Sequence, residues 1–157
     1  MAKKWNADLT EWKKMQEKLE RLSQDSNNDS LAYFLRGFIV DMAKRTIAKT
    51  KKRTPVGTPE STGIKNYIGG TLRRGWEIGR IEFLGDRIQA RILNNTEYAT
   101  EVEYGHRIMG GSNHDVEVGW KEGNFMLTTS IDYVQSRLPQ RYQKGFEDFC
   151  KSHGVIE

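Results

Sequence analysis

The chain has 157 residues, a length that fits one domain and allows an apolar core without disulfides or metals. Only 36% of the residues are apolar, and no apolar stretch approaches the length of a membrane span, which argues against a membrane-embedded protein. The formal charge of +4 is compatible with nucleic acid nearby but is too small an excess to indicate nucleic-acid binding.

The number of cysteines and the N-terminal residues indicate the cellular compartment. Cys150 is the only cysteine, so no intramolecular disulfide can form, which is typical of a reducing environment. No motif for an activated thiol surrounds it, and we expect a buried apolar side chain. No apolar run follows Lys3 and Lys4, so a signal peptide is not expected. We therefore predict one soluble intracellular domain over residues 1–157.

Apolar residues at helical spacing predict two helices at the start of the chain. The first covers residues 8–23, and a polar turn at 24–29 separates it from a second helix that runs from 31 to about 52 after the N-cap Ser30. Their apolar faces are Leu9, Trp12, Met15, Leu19 and Leu22, and then Leu31, Phe34, Leu35, Phe38, Ile39, Met42 and Ile47. The helices could pack as a hairpin, or residues 1–29 could form an arm that docks on a neighbour.

The middle of the chain predicts a loop and then a β-hairpin. Residues 53–70 are rich in proline and glycine, which favours a long loop. Strand-like runs at 76–83 and 87–93 flank Gly85-Asp86, a tight-turn pair. We expect the face with Ile88, Ala90 and Ile92 to cover the helices.

The last third predicts mainly helices. A short helix is expected at 96–104, and the five glycines of 105–123 favour a long loop or an irregular hairpin. A helix at 125–138 has an apolar face of Leu127, Ile131, Val134 and Leu138, and we expect Pro139 to stop or kink it. The last helix carries Tyr142, Phe146 and Phe149 and ends at a Gly154 cap. The predicted class is α+β: N-terminal helices, a small antiparallel β-sheet and C-terminal helices packed on the sheet.

Candidate catalytic residues are few. His106 and His114 lie near several carboxylates, and such side chains bind divalent metals in nucleases. The carboxylates are Glu101, Glu103, Asp115 and Glu117. The spacing matches no zinc pattern, and Cys150 with His153 lacks an orienting acid and a nucleophile elbow. We expect no metal, no cofactor and no catalytic residue.

A basic run marks the end of the second predicted helix. It consists of Lys44, Arg45, Lys49, Lys51, Lys52 and Arg53. The run could simply complement the negative end of the helix dipole, or it could contact phosphates or an acidic partner. It contains no aromatic residue, so a base-stacking platform is not indicated.

Two motifs, each in two parts, carry a resemblance. Residues 97–107 read EYATEVEYGHR, and residues 119–127 read GWKEGNFML. Upstream, Thr54-Pro55-Val56 and Gly63 precede residues 70–76, which read GTLRRGW. In order and spacing this set resembles the minor tail-component family of tailed bacteriophages and prophages, which contains head–tail joining and tail-completion proteins. The resemblance covers roughly residues 31–150; the first helix lies outside it, and the loop before Trp76 is longer than usual.

The resemblance implies a structural virion protein of the head–tail interface and no enzymatic activity. It implies a neck or tail-completion subunit that forms a homo-oligomeric ring, of about six copies, with other neck or head-completion proteins and tail tube proteins as partners. DNA would pass through without being specifically bound, and assembly would occur in the host bacterial cytoplasm. The alternatives are a tail terminator that caps tube polymerisation or, in another class, a DNA-binding or metal-dependent nuclease-like protein.

The same resemblance suggests how the motif works. Tyr98, Val102 and Tyr104 would anchor the short helix to the core, and Gly105 would allow a left-handed exit. His106 and Arg107 would then project into a loop that orders against a neighbour, or would only fix the turn locally. The predicted assembly interface therefore comprises Tyr104, Gly105, His106 and Arg107, together with Lys49, Lys51, Lys52 and Arg53. We expect the basic helix end not to dominate the lumen of the ring, because a strongly basic lumen would retain DNA.

Overall fold

A computed structural model describes residues 17, 20–21, 31–63, 65–66, 68–84 and 87–156. Of the predicted first helix only Glu17, Glu20 and Arg21 are described, and they are helical; its face with Trp12, the turn at 24–29 and the turn at Gly85-Asp86 lie outside the described residues. The chain divides into two compact units, Met1–Phe38 with Leu138–Glu157, and Ile39–Arg137. One domain over residues 1–157 stays a prediction.

The described elements confirm the α+β class. In chain order they are α1 (Leu31–Arg53), α2 (Pro59–Thr62), α3 (Thr71–Arg74), β1 (Trp76–Leu84), β2 (Arg87–Asn94), α4 (Ala99–Tyr104), β3 (Gly105–Gly110), β4 (Val116–Glu122), α5 (Met126–Gln135) and α6 (Leu138–Ser152). The strands form two separate antiparallel hairpins, β1–β2 and β3–β4.

Helix α1 matches its predicted bounds, but threonines form much of its buried face. Thr46 and Thr50 in the helix, and Thr54 directly after it, are each at most 5% exposed. Each hydroxyl donates to the carbonyl four residues earlier, at 2.7–2.9 Å, so no buried hydroxyl lacks a partner. The predicted face missed these residues, because the hydrophobic pattern counts a hydroxyl as polar even when the helix itself satisfies it.

The core of the unit Ile39–Arg137 lies beside the end of α1. Its buried members are Leu72, Trp76, Ala99 and Met126, with Ile47, Ile92, Val102 and Leu127 partly buried against them. The indole Nε1 of Trp76 donates to Thr54 Oγ1 at 2.9 Å. The guanidinium of Arg73 donates to the Thr54 carbonyl at 2.7 and 3.2 Å. Thr54 thereby ties the end of α1 to the start of β1.

The first hairpin is confirmed. Strands β1 and β2 pair from Trp76 opposite Asn94 to Leu84 opposite Arg87, with a register shift between Ile78 and Ile81. The predicted inner face is half-buried, and its Ile92 packs on the core.

The predicted loop 53–70 contains the one-turn helix α2, and α3 follows it directly. Thr58 and Ser61 form a reciprocal capping box around α2, with Pro59 at its first position. Gly69 closes the loop, since a Cβ on it would lie 2.1 Å from the Gly57 carbonyl oxygen. The two ends of the segment 57–69 are therefore in contact.

The hairpin alternative for residues 105–123 is confirmed, whereas the prediction for the next two helices needs correction. Helix α5 ends at Gln135, and Pro139 is the second residue of α6. A proline in a first turn costs no hydrogen bond, because those N–H groups have no intrahelical acceptor. Pro139 thus lies in the start of α6 and does not end α5.

The buried face of α5 also differs from the prediction. It consists of Met126, Ser130 and Val134, spaced by four residues. Leu138 belongs to α6 and is exposed. Ser130 was missed for the same reason as the α1 threonines, since its hydroxyl donates to the Met126 carbonyl at 2.6 Å.

The unit Met1–Phe38 with Leu138–Glu157 holds an aromatic cluster. The Phe34 ring lies 5.0–6.2 Å from the rings of Phe38, Tyr142, Phe146 and Phe149. Cys150 is buried as predicted, and burial raises the pKa of its thiol above the ordinary value. Gly154, at φ +65°, follows the end of α6.

Candidate assembly interface

Gly105 joins α4 to β3 in a conformation that favours glycine. Its φ is +92° and its ψ is 171°, so the exit is an extended positive-φ turn and not the predicted left-handed helical one. A Cβ here would lie 2.4 Å from the Lys121 carbonyl oxygen. The glycine therefore lets β4 approach the end of α4.

Gly123 makes the matching approach from the other side. A Cβ on Gly123 would lie 2.2 Å from the Glu103 carbonyl oxygen. Next to it, Asn124 N–H donates to the Val102 carbonyl at 2.8 Å and Phe125 N–H to the Glu103 carbonyl at 3.0 Å. These contacts bring the two halves of the motif, near 103 and near 123, together in the fold.

Glu103 is the buried centre of this junction, and sequence reasoning missed its role. Glu103 is 4% exposed. Its carboxylate accepts hydrogen bonds from Leu127 N–H at 3.0 Å and from Thr128 N–H at 2.9 Å. The Thr128 hydroxyl donates to it at 2.8 Å. The N-cap residue Phe125, at φ +45°, makes no side-chain cap, so Glu103 caps α5 from α4.

The predicted anchors of α4 are largely wrong. Tyr98 and Tyr104 are 41% and 57% exposed, and only Val102 packs against the core. The buried residues of α4 are Ala99 and Glu103. Tyr104 instead meets the ring of Phe125 edge to face at a centroid distance of 6.5 Å. The exposed rings of Tyr104 and Phe125 therefore lie together on the surface, at the base of the β3–β4 hairpin.

His106 and Arg107 lie in strand β3 and not in the predicted loop. His106 is half-buried, and its Nδ1 is buried without a hydrogen-bond partner in the part of the chain that the structure describes. Arg107 is exposed, with Nε 3.6 Å from the Glu117 carboxylate across the hairpin. A contact this exposed contributes little to stability.

The β3–β4 hairpin presents many apolar side chains to solvent. Ile108, Met109, Val116, Val118 and Trp120 are 41–61% exposed. Strand pairing runs from Gly105 opposite Glu122 to Gly110 opposite Val116, and Val118 is the extra residue of a bulge. In the described structure no further strand extends this two-stranded sheet.

The basic run at the end of α1 separates into two groups. Lys49 Nζ lies 4.3 Å from the centroid of the Tyr133 ring, and Arg53 Cζ lies 5.8 Å from it. Arg137 Cζ, which sequence reasoning missed, lies 3.9 Å from the same ring. We call Lys49, Arg53, Tyr133 and Arg137 the Tyr133 cluster. Lys51 and Lys52 do not join it, and Arg45 pairs with Asp41 at 2.7 Å.

The two predicted parts of the interface remain two surfaces. One is the base of β3–β4, where Arg107 faces Glu117, and the other is the Tyr133 cluster at the end of α1, where Arg53 contacts Tyr133 and Ser130. Arg137 could have been suspected from its helical i,i+4 spacing to Tyr133. Across the described ranges, no three His, Cys, Asp or Glu side chains are grouped closely enough to hold a metal ion.

A family model for the bacteriophage HK97-gp10 tail component matches residues 13–105, which is more than half of the chain. The chain belongs to the HK97-gp10-like family of phage tail components. This confirms the resemblance noted from the motifs, although the match begins earlier than expected, within the first predicted helix, and ends at Gly105. The second half of the motif, at 119–127, lies beyond it.

The HK97-gp10-like family is one of structural tail components, so the protein is assigned to the phage particle. Comparison with curated proteins and with solved structures gives no match. No helix within the described residues is both long and apolar enough to cross a membrane.

Proposed function

We propose that this tail component is a ring-forming subunit of the head–tail interface, a neck or tail-completion protein that joins the tail to the filled head. Membership of the HK97-gp10-like family supports the structural role. The observation that carries the assembly role is the β3–β4 hairpin, which leaves five large apolar side chains exposed on a two-stranded sheet.

Such a hairpin is a poor free-standing structure. Two strands alone are marginally stable in water, and both edges offer unpaired backbone groups. Exposed apolar clusters of this kind mark protein–protein contact sites. The hairpin is held at its base by the Gly105 and Gly123 approaches, which fix where it points while leaving its strands available to a neighbouring chain.

The proposed interface includes both predicted surfaces. Tyr104, Gly105, His106 and Arg107 form the base of the hairpin, and Lys49 and Arg53 with neighbouring Lys51 and Lys52 form the end of α1. We propose that the basic end faces a subunit or a partner and not the lumen. A non-enzymatic role fits the buried Glu103, whose carboxylate oxygens are occupied by α5.

The proposed assembly is a closed ring of about six copies, since a channel for DNA needs rotational symmetry and a cyclic ring uses two different patches on each subunit. Its neighbours would be head-completion and tail tube proteins. DNA would pass through without specific binding.

Deleting the gene and examining the particles by electron microscopy tests the role. We expect filled heads and separate tails of normal length. Overlong tails would instead identify a tail terminator, and intact infectious particles would refute a structural role at the joint.

Complementation then tests the hairpin. We expect Val118→Asp to fail to restore joined particles, because it places a charge in the proposed apolar contact. The matched control Phe83→Asp alters a similarly exposed side chain on β1–β2 and should restore them. Equal rescue by both variants would exclude the hairpin from the interface.

A further inference from the structure

The Tyr133 cluster gathers three cations, and no carboxylate among the described residues is paired with them. The side chains of Lys49, Arg53 and Arg137 all lie within 5.8 Å of one ring centroid. Within the described ranges, the Arg53 side chain donates to the neutral Ser130 hydroxyl at 3.3 Å, and the Arg137 side chain donates to the Tyr133 carbonyl and the Ser136 hydroxyl. No described carboxylate forms a salt bridge with any of the three. Among the described residues, the groups that offset their mutual repulsion are the aromatic ring and neutral acceptors.

A carboxylate-bearing partner suits this cluster better than DNA. The cluster is compact, and three charges are few beside the six to ten phosphate contacts that give roughly thousandfold or larger salt effects in DNA binding. Its aromatic ring is occupied by its own cations, so it is not offered to a base. Arginines with their planar donors match carboxylates in a bidentate manner.

A complementary surface exists on the same chain, around the exposed side chain of Tyr98. Tyr98 lines two clefts of about 500 Å³ each. Glu77 and Glu97 line the first cleft, and Glu101 and Glu122 line the second. Only two cations, Arg74 and Lys121, share these linings. We call Glu77, Glu97, Tyr98, Glu101 and Glu122 the Tyr98 rim.

We propose that the Tyr133 cluster of one subunit binds the Tyr98 rim of a second copy, head to tail. The inference rests on the proposed ring function and names its subunit contact. A cyclic ring needs two different complementary patches on each subunit, and these two are opposite in charge, each with an aromatic side chain at its centre. Lys49 and Arg137 then meet Glu97 and Glu101.

Charge reversal tests the pairing in phage lacking the gene and complemented with full-length protein. Lys49→Glu/Arg137→Glu should reduce joined particles roughly a hundredfold, because like charges facing each other across an interface are strongly unfavourable. Glu97→Lys/Glu101→Lys should do the same. All four changes in one chain should restore joining. The controls Lys44→Glu and Asp148→Lys each make a single charge reversal, of the same sign as in the corresponding test variant, at an exposed position outside both patches.

Disulfide crosslinking tests the same contact and does not require the protein to tolerate four substitutions. In assembled particles, Lys49→Cys/Glu97→Cys should form disulfide-linked oligomers under oxidation, whereas Lys44→Cys/Glu97→Cys should not. An oligomer ladder from the first pair supports the contact even if reversed variants are unstable.

The outcomes separate the two proposals. If deletion leaves joined particles intact, the proposed function fails. The subunit contact alone fails if deletion separates heads from tails but no disulfide-linked ladder forms and one of two further results is seen. Either the charge-reversed variants join normally, or the variant with all four changes does not recover joining. The proposed subunit contact would also be overturned if the purified protein bound duplex DNA in a salt-dependent manner and Lys49→Glu/Arg137→Glu abolished that binding.

Discussion

At the scale of single residues, Thr54 is a small buried residue that forms hydrogen bonds to Thr50, Arg73 and Trp76. Its hydroxyl donates to the Thr50 carbonyl and accepts from Trp76 Nε1, while its carbonyl accepts from Nε and Nη2 of Arg73. One small side chain at a helix end thus satisfies the indole N–H of a 5% exposed tryptophan.

We expect Thr54→Val to lower the free energy of unfolding by about 1–3 kcal/mol, since it leaves a buried indole N–H unpaired. The control Thr50→Val should cost no more than about 1 kcal/mol, because Thr50 only donates, to a helix carbonyl. Urea unfolding of the purified proteins measures both. Equal losses would mean that the Trp76 hydrogen bond does not matter.

Glu103 gives a second prediction at this scale. Glu103→Ala should cost about 2–3 kcal/mol, because two N–H groups of α5 and a hydroxyl lose their acceptor at once. Glu101→Ala, an exposed change on the same helix, should stay within about 0.5 kcal/mol of the wild type. If both variants unfold at the same urea concentration as the wild type, α5 does not depend on this cap.

At the scale of elements, two glycines decide how the second hairpin is attached. Gly123→Ala would place a Cβ 2.2 Å from the Glu103 carbonyl oxygen, and backbone cannot yield cheaply. We expect a lower melting temperature. Gly119→Ala is the matched control, since its Cβ would meet only Ile108 Cδ1 at 3.8 Å. A Gly123→Ala protein with unchanged melting would show that this junction adapts.

The sequence predicts the long and strongly patterned elements well. Helix α1, the β1–β2 pair and the aromatic face of α6 follow from spacing of apolar residues over many positions. The one-turn helices α2 and α3 were missed, since four residues cannot display a period. Pro139 was misread because the same residue that breaks a helix interior is tolerated in a first turn.

The candidate site is less predictable, because it depends on residues distant in sequence. Glu103 could be recognised as charged but not as a cap for a helix 24 positions later. Arg137 and Lys49 both contact the ring of Tyr133, and the sequence around one gives no indication of the other. Tyr98 and Tyr104 are likewise exposed because a different face of the six-residue helix α4 meets the core. The sequence of so short a helix does not indicate which face that is.

At the scale of the whole molecule, assembly should change how the surface exchanges with water. We expect rapid amide exchange in residues 53–70 and 105–123 of the free subunit, and slow exchange in the assembled particle. The reason is that neither segment has a buried apolar side chain among its described residues. Hydrogen exchange read out by mass spectrometry on both forms makes the comparison, and equal protection would mean that neither segment is ordered by assembly.

The contact between Gly57 and Gly69 makes the segment between them a natural point for peptide display. Both ends are already fixed at one place, so lengthening the segment does not force the surrounding elements apart. Each doubling of a flexible loop costs only about 0.6 kcal/mol of closure entropy. An epitope inserted after Gly63, where the flanking Glu60, Ser61 and Ile68 are exposed, should be carried without loss of folding.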